Sequence, residues 1–447
     1  MAQRFGERAT VGGIAPPRPP FRTARLSRRM ALALRRAPRA GAVARTARLA
    51  WREIGSWLAP LRQAAAVHAV MFAGLVLVLG IGALVRARDF RPAPHPDILR
   101  GKLAHAFETH YDQAFPLKTL GVNLWAAIDY ALFDEGRPGV VVGKDGWLYT
   151  DEEFKLDDDS PARVERHLAL IDWVKRTLAE RDIALLVAVV PAKARVYPEH
   201  LERRQPPALR QGLYARTLEA LRADGVATAE LLQPLSAGKR QQPTFLRTDT
   251  HWTPYGAQLA AQAVAARVGD AVHASGRFRT QFEGAQAHRG DLFNFLPLGP
   301  WFAWLLPPPD RLAQFRTVAS GGRGDLLGAD PAAEVALVGT SYSAEPQWNF
   351  AGALKQALHA DVLNYARDGE GPFAPMLAYL RSADFRTSPP KLVIWEVPER
   401  YLPLPQPALA AYHLPPEAFV ARAATPAAIG DLPAREGGSS SHVTRQP

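Results

Sequence analysis

Several short apolar segments, separated by stretches with helical patterns, constrain the fold of this chain most strongly. The run IALLVAVV at 183–190 contains no polar residue, which is typical of a strand covered on both faces in a parallel sheet. Segments that fit further strands lie at 226–232, 335–339, 361–365 and 391–397. Strands that alternate with helices build a mainly parallel sheet with helices on both faces, so the sequence predicts an α/β fold.

The segments between these strands carry the helical signals. Apolar residues recur at intervals of three and four in the segment that follows residue 160, as on the buried face of an amphipathic helix. Thr253 and Pro254 are the residue types expected at the N-cap and the first position of a helix. The predicted helices are marked by Val164, Leu168, Ile171, Val174 and Leu178, by residues 208–223, by the segment after Thr253, by AGALKQALHA at 351–360, and by Phe373, Met376, Leu377 and Leu380.

The remaining segments lie before, within and after this alternating region. A helical segment is predicted near 101–133, and VVVGKDGWLY at 140–149 predicts two strands joined by a tight turn at its Lys-Asp-Gly sequence. Residues 270–330 break the alternation with glycine, proline and aromatic residues and are interpreted as a long insertion. Residues 404–447 are rich in alanine, proline, serine and glycine, and we expect them to form a flexible tail.

Residues 63–85 form a stretch without a formal charge. At about 1.5 Å per residue, a helix of this length crosses the roughly 30 Å hydrocarbon core of a bilayer. A buried helix and the apolar region of a cleaved signal peptide are the alternatives, but the 62 residues that precede the stretch are too many for an ordinary signal peptide. We therefore expect one retained transmembrane helix at the N-terminal end of the chain.

The positive charge of the chain is concentrated before this stretch. Residues 1–62 contain fourteen arginines and two glutamates, whereas the rest of the chain is nearly neutral. A nucleic-acid-binding domain carries its positive charge on the folded body, so this distribution does not favour that class. Arginine-rich short flanks stay in the cytoplasm. We expect the tail there, disordered over 1–41, with 43–61 as either an amphipathic stretch or a partly disordered lead-in.

Ser341 is a candidate nucleophile because of its position after a predicted strand. The sequence VALVGTSYS places it on a strand-to-helix turn, and the carboxyl ends of parallel strands are where sites form in such sheets. Backbone N–H groups around a turn can stabilise an oxyanion. The alternative is that Ser341 only caps a helix. The chain has no cysteine, which excludes a thiol nucleophile, a disulfide and a cysteine-ligated metal site.

Asp249 and His251 form the second candidate constellation. They are two residues apart in TDTHWTPYGA, and in an extended segment such residues point to the same side. The carboxylate can then hold one imidazole nitrogen while the other takes a proton from a hydroxyl. A cluster at a helix start, two independent surface residues and part of a metal site are the alternatives.

Six segments together resemble a known family. They are VVVGKDGWLY (140–149), VVPAKARVYPEHL (189–201), LRTDTHWTPYGAQLAA (246–261), GDLFN (290–294), VALVGTSYSAEPQWNF (335–350) and LVIWEVPERYL (392–402). In this order they resemble the SGNH-hydrolase-like domain of the bacterial alginate O-acetyltransferases of the AlgJ and AlgX type. The resemblance covers roughly residues 100–403.

The resemblance implies specific roles and partners. Asp249, His251 and Ser341 would be the catalytic triad, in an order reversed from ordinary SGNH esterases, where serine comes first. The expected reaction transfers acetyl groups to hydroxyls of an exported polysaccharide in the periplasm, with a multispanning inner-membrane O-acyltransferase supplying the acetyl groups. No cofactor and no metal are expected. The short segment after Tyr401 favours the membrane-anchored type over the soluble relative, which has a carbohydrate-binding module there.

Several other residues are interpreted as secondary site candidates. Lys193 follows a strand end and is predicted to contact donor or acceptor, with an ordinary surface lysine as the alternative. Glu396 and Arg400 are expected to form a structural ion pair. Asn364 and Gly369 lie where SGNH enzymes place oxyanion donors. Sugar stacking or hydrogen bonding, with packing as the alternative, is predicted for Tyr342, Trp348, Asn349 and Trp252.

These observations predict four segments and one main function. The segments are a cytoplasmic tail at 1–62, an anchor at 63–85, a periplasmic catalytic domain at 86–403 and the tail at 404–447. The predicted function is O-acetylation of alginate or another exopolysaccharide. A deacetylating esterase with the same triad and a non-catalytic polysaccharide-binding subunit of an export complex are the alternatives.

Overall fold

The computed structural model describes residues 66–92, 94, 98, 100–201, 204–320 and 333–420. The predicted tail at 1–62, with its amphipathic stretch, lies outside the described residues. The chain divides into two compact units, residues 1–118 and 119–447. Each unit is described by itself.

The first unit contains one long apolar helix, Ala66–Asp89. Its 24 residues are long and apolar enough to cross a membrane, and almost none of its surface is buried within the protein. It is a candidate membrane span by length and composition, two features that signal sequences near an N-terminus share. Helix α1 (Lys102–Ala114) follows in this unit. Helix α2 (Lys118–Phe133), which belongs to the second unit except for Lys118, begins after a break at Pro116. The predicted helical segment at 101–133 is therefore two helices, because proline has no N–H for the helical ladder.

A five-stranded parallel sheet forms the centre of the second unit. The strands are β3 (Ala184–Val190), β4 (Ala227–Glu230), β7 (Val335–Val338), β8 (Val362–Asn364) and β9 (Leu392–Pro398). Their order in the sheet is β4-β3-β9-β7-β8, and every neighbouring pair is parallel. The predicted α/β class and SGNH-like parallel sheet are confirmed.

Helices cover both faces of this sheet, as predicted. Alternate residues of β3 point in opposite directions, so Leu186 and Ala188 belong to one apolar cluster and Leu185 and Val187 to the other. Helices α7 (Pro254–Val268) and α9 (Phe350–Leu358) pack in the first cluster. Helices α3 (Ser160–Ala179), α5 (Ala208–Ala223) and α10 (Phe373–Leu380) pack in the second cluster. The shorter helices are α4 (Lys193–Val196), α6 (Leu232–Gly238), α8 (Ser341–Ala344) and α11 (Ala383–Thr387).

Two antiparallel hairpins accompany the sheet. Strands β1 (Val140–Val142) and β2 (Leu148–Thr150) form the predicted hairpin. The predicted long insertion at 270–330 contains two long strands that the sequence did not predict, β5 (Phe278–His288) and β6 (Asp310–Ala319). Most side chains of β5 are exposed, so this strand lacks the apolar pattern by which a strand is recognised. Residues 321–330 of the insertion lie outside the described residues.

The segment after residue 403 is packed against the domain as far as residue 420. It forms the short 3-10 helices Pro407–Tyr412 and Pro416–Phe419. Ala418 is fully buried, and Phe419 packs against the same apolar cluster as α3. The predicted domain boundary at 403 and the flexible tail from 404 are therefore wrong for residues 404–420. The rest of the predicted tail lies outside the described residues.

Candidate active site

Ser341 begins helix α8 at the carboxyl end of β7, on the strand-to-helix turn expected from the sequence. The carboxylate of Glu396, in neighbouring β9, anchors this turn. It accepts hydrogen bonds from the Thr340 backbone N–H at 2.7 Å and the Ser343 hydroxyl at 3.0 Å. Gly339 is required for this close approach, because a Cβ there would collide with Glu396. Burial raises the pKa of Glu396.

The structure brings Asp249, His251 and Ser341 together although ninety positions separate His251 from Ser341. Nδ1 of His251 lies 2.7 Å from Oδ1 of Asp249, and Nε2 lies 2.7 Å from the hydroxyl of Ser341. All three residues are buried, with exposed fractions of 3%, 6% and 6%. An imidazole held by a carboxylate at one nitrogen can accept the hydroxyl proton at the other, which makes the serine a nucleophile.

Both oxygens of the Asp249 carboxylate accept hydrogen bonds. Oδ1 also accepts one from the backbone N–H of His251 at 3.0 Å. Oδ2 lies 2.8 Å from Nε2 of His288 and accepts a hydrogen bond from the backbone N–H of Asp291 at 3.0 Å. Burial by itself would raise the pKa of Asp249, but the hydrogen bonds from His251 and His288 outweigh it and hold the pKa well below its usual range. Asp249 is therefore ionised at neutral pH.

The ammonium group of Lys193 binds the backbone of the Asp249 segment. It is 1% exposed, and its ammonium group donates to the carbonyl oxygens of Leu148, Arg247 and Asp249 at 2.6, 2.9 and 2.9 Å. Burial lowers the pKa of Lys193 to about 8. The predicted contact of Lys193 with donor or acceptor does not fit this position, because all three N–H bonds are used inside the protein.

Three of the predicted sugar-binding aromatics are buried as well. Trp252 and Trp348 are 0% exposed and Tyr342 is 1% exposed. The Trp348 ring stacks on His251, with centroids 5.1 Å apart. The Tyr342 hydroxyl donates to the carbonyl oxygen of Thr250 at 2.8 Å. A sugar cannot stack on a ring that has no free face, so direct sugar contact is wrong for these three residues, which instead pack the triad in place.

Asn349 occupies a different position, on the wall of an open groove. The groove has a volume of about 480 Å³. Its walls include Ser343 and Glu345, which follow Ser341 along the chain, together with Asn364. Burial raises the pKa of Glu345, and the charge of His251 acts in the opposite direction. This polar groove beside the Ser341 turn is wide enough for a sugar unit, and Asn349 keeps its predicted role as a candidate contact.

The contacts of Arg400 and Asn364 bear on two further predictions. The predicted ion pair of Glu396 with Arg400 is wrong, because Nε of Arg400 donates to Glu152 at 3.0 Å. The Asn364 side chain donates to the carbonyl oxygen of Ser343 at 2.7 Å, so it lies beside the Ser341 turn. Gly369 has positive φ in the loop beyond β8, and its predicted role as an oxyanion donor stays a prediction.

The acidic groups near His251 are engaged in hydrogen bonds. One ligand-type atom from each of Asp249, His251 and Asp291 lies within 4.8 Å of the others. Asp249 uses both oxygens as described, and Oδ1 of Asp291 accepts from the backbone N–H of Thr250 at 2.8 Å. A cation would have to replace these bonds, so the arrangement is that of a hydrogen-bonded triad.

The sequence interpretation missed His288 and Asp291 as parts of this site. Both come from the insertion and reach Asp249 across about forty positions of sequence. Asp291 lies in the segment GDLFN (290–294), one of the six segments that resemble the family. That resemblance was the sequence feature from which a site role of Asp291 could have been predicted.

Comparison with known proteins finds similar sequences. The family model described as "SGNH hydrolase-like domain, acetyltransferase AlgX" matches residues 140–399. A "Probable alginate O-acetylase AlgJ" of Azotobacter vinelandii is 49% identical over 344 residues, which are 76% of this chain and 89% of that protein. The protein of the same name from Pseudomonas aeruginosa is 50% identical over 346 residues, or 74% of this chain and 88% of the relative.

A solved structure has the same fold. The "O-Acetyltransferase Domain of Pseudomonas putida AlgJ" aligns with a TM-score of 0.58 and 44% identity. The alignment covers 63% of this chain and 97% of that domain.

Proposed function

Since the chain belongs to the family of SGNH hydrolase-like acetyltransferase domains of the AlgX type, we propose that it acetylates hydroxyls of an exported polysaccharide through a triad of Ser341, His251 and Asp249. The main support for this proposal is the position of the His251 ring. Its Nδ1 lies 2.7 Å from Oδ1 of Asp249, and its Nε2 lies 2.7 Å from Oγ of Ser341. The triad is proposed from that geometry, since membership of the family by itself does not assign roles to these residues.

The proposed reaction has two half-reactions, and His251 transfers the proton in both. His251 takes the hydroxyl proton of Ser341 while Oγ attacks the carbonyl carbon of an acetyl ester or thioester. The leaving group departs with that proton, and an acetyl ester on Ser341 remains. An acceptor hydroxyl then attacks this ester as His251 removes its proton, and the proton returns to Oγ when the acetyl group leaves. Asp249 stabilises the imidazolium formed in each half.

Alginate or another exopolysaccharide is the proposed acceptor. The relatives described above are named alginate O-acetylases, and the open polar groove beside the Ser341 turn offers Asn349, Asn364 and Glu345 as hydrogen-bonding groups. These side chains suit the hydroxyls of a sugar unit. A polymer must also enter from the surface, which an open groove permits.

The apolar helix supports a proposed location. We place residues 1–62 in the cytoplasm, the span at 63–85 in the inner membrane, and the catalytic domain from residue 86 in the periplasm, now extended to residue 420. In this arrangement a multispanning membrane O-acyltransferase supplies the acetyl groups from the cytoplasmic side. A phosphatase that is active only in the periplasm, fused after residue 447, should be active. An inactive fusion on an intact, membrane-bound protein would contradict this orientation.

Acetyl transfer from a chromogenic acetyl ester to an oligosaccharide tests the proposed function. We expect His251→Ala to lower the rate by about 10² to 10⁴-fold, because a general base contributes that much. His273→Ala is the matched control, since the His273 side chain is 78% exposed and should leave the rate unchanged.

The distribution of products separates the alternatives in the same assay. Acetylated oligosaccharide is the expected product, whereas free acetate alone would identify an esterase. Full activity in His251→Ala, with the fold preserved, would contradict the proposed triad.

A further inference from the structure

The Asp249 carboxylate is shared by two imidazole rings. His251 lies 2.7 Å from Oδ1 and Nε2 of His288 lies 2.8 Å from Oδ2. A serine triad as described in the previous subsection uses only the first of these imidazoles. The second one needs a separate explanation.

His288 is the last residue of β5, so the hairpin inserted at 270–330 carries it to the triad. The neighbouring backbone reinforces the contact. Gly290 passes so close to Thr248 that a Cβ would collide with the Thr248 carbonyl group, and the backbone N–H of Asp291 donates to Oδ2 of Asp249. The end of the hairpin is therefore docked onto the Asp249 segment.

Trp348 joins the two imidazoles on another side. Its ring is stacked on His251 and lies edge-to-face against His288, with centroids 5.1 and 5.6 Å apart. The His288 side chain is 15% exposed. His288 is thus a partly enclosed ring that is hydrogen-bonded to the carboxylate of the proposed triad.

We propose that His288 is a positioning residue that fixes the Asp249 carboxylate through Oδ2, so that Oδ1 faces Nδ1 of His251. This inference rests on the proposed triad. A carboxylate has a broad torsional preference about its last bond, and a strong donor on the second oxygen removes that freedom. With Oδ1 held, Nδ1 of His251 stays the protonated nitrogen and Nε2 stays free to act on Ser341.

The charges around His288 add an electrostatic effect. The hydrogen bond to Asp249 raises the pKa of His288 against the opposing effect of burial, and Asp310 of β6 and Asp291 of the following turn act in the same direction as Asp249. Below this raised pKa, His288 is a cation beside Asp249. A charged donor makes a stronger hydrogen bond to a carboxylate than a neutral one does, so this charge strengthens the hydrogen bond of His288 to Oδ2 of Asp249.

Substitution of His288 in the full-length protein tests the proposal. His288→Ala removes the donor, and we expect kcat for a chromogenic acetyl ester to fall by about 10- to 100-fold with KM little changed, because a hydrogen bond to a charged group has that effect. His288→Gln keeps an N–H donor at a similar reach and should recover most of kcat. Gln286→Ala, on the exposed part of the same strand, is the control for hairpin integrity and should behave as wild type.

Comparison of the two variants separates positioning from simple structural support. The N–H donor remains in His288→Gln, so kcat should recover there but not in His288→Ala. Wild-type kcat in His288→Ala would overturn the proposal. Equal losses of kcat in the Ala and Gln variants would also overturn it. Full activity in Ser341→Ala would instead refute the triad on which the inference rests.

Discussion

The ammonium group of Lys193 donates a 2.9 Å hydrogen bond to the main-chain carbonyl oxygen of Asp249, the residue whose side chain holds His251. The same ammonium group also binds the carbonyl oxygens of Leu148 and Arg247. One buried cation thus joins strand β2 to the segment that carries the carboxylate and imidazole of the triad. Its effect on catalysis is expected to be indirect, through the position of Asp249.

Replacement of Lys193 tests this role. Lys193→Met keeps the aliphatic stem but removes the ammonium donor from three carbonyl oxygens, of which that of Arg247 still accepts from the backbone N–H of Leu148. The free energy of unfolding should therefore fall by about 1–3 kcal/mol, and kcat should fall with it. Lys155→Met is the matched control, because the Lys155 side chain is 55% exposed and an ion pair of an exposed lysine contributes little. A raised KM for the acceptor with unchanged stability would restore the substrate-contact interpretation of Lys193.

Trp348 allows packing to be distinguished from sugar binding. Because its buried ring supports His251 and His288, Trp348→Ala should lower the free energy of unfolding by about 3–5 kcal/mol and reduce kcat. Trp348→Phe should be much milder, since it keeps an aromatic face and removes an indole N–H that has no hydrogen-bond partner in the described part of the chain. Denaturant unfolding and steady-state kinetics measure both effects. A selective rise in acceptor KM in the stable Phe variant would contradict a packing role.

The segment after residue 403 is expected to contribute to stability. Ala418 is 0% exposed, so Ala418→Asp places an unpaired charge in the core and should cost about 3–5 kcal/mol of unfolding free energy, the cost found for an uncompensated buried charge. Glu417→Ala, at the exposed neighbouring position, should change little. Equal thermal stability of the two variants would show that residues 404–420 do not form part of the folded domain.

His167 should make stability depend on pH. Burial lowers its pKa from 6.5 to about 4, while the 2.8 Å contact of Nδ1 with the Leu402 carbonyl oxygen opposes this. The unfolded chain therefore binds the proton more readily, so the contribution of neutral His167 is complete above about pH 6.5 and is lost as pH falls towards 4. The loss should reach about 3 kcal/mol. Unfolding midpoints between pH 7 and 4 should flatten in His167→Gln, and an unchanged slope would contradict this assignment.

Much of the fold was predictable because its signals are local. A run of neighbouring apolar residues predicted the buried strand β3. The adjacent residues Thr253 and Pro254 predicted the start of α7, where the Thr253 side chain caps the helix. Strands β5 and β6 were missed because they pair with each other while most side chains of β5 are exposed and most of β6 are only partly buried, and such strands have no clear apolar face to reveal them.

The candidate site was predictable in part for the same physical reason. Asp249 and His251 lie two positions apart, which predicted that they share one side, although residues 247–251 form bends and not the expected extended segment. The contact of His288 with Asp249 depends on the full length of a hairpin and on the close approach at Gly290. Trp252 and Trp348 were misinterpreted because an aromatic near a catalytic motif looks the same in sequence whether its ring is buried or exposed.

The central claim is that Ser341 carries the acetyl group during transfer. Ser341→Ala should keep the circular dichroism spectrum and unfolding midpoint of the wild type but lose acetyl transfer, and adding His251→Ala should cost hardly more, because the two residues act as a unit.

The most direct measurement is mass-spectrometric mapping of the full-length protein after rapid quenching with a chromogenic acetyl ester and no acceptor. We expect one acetyl group on the peptide that contains Ser341, removed when oligosaccharide is added and absent from Ser341→Ala. An acetyl group on a different residue that turns over with acceptor, or full transfer by a folded Ser341→Ala protein, would contradict it.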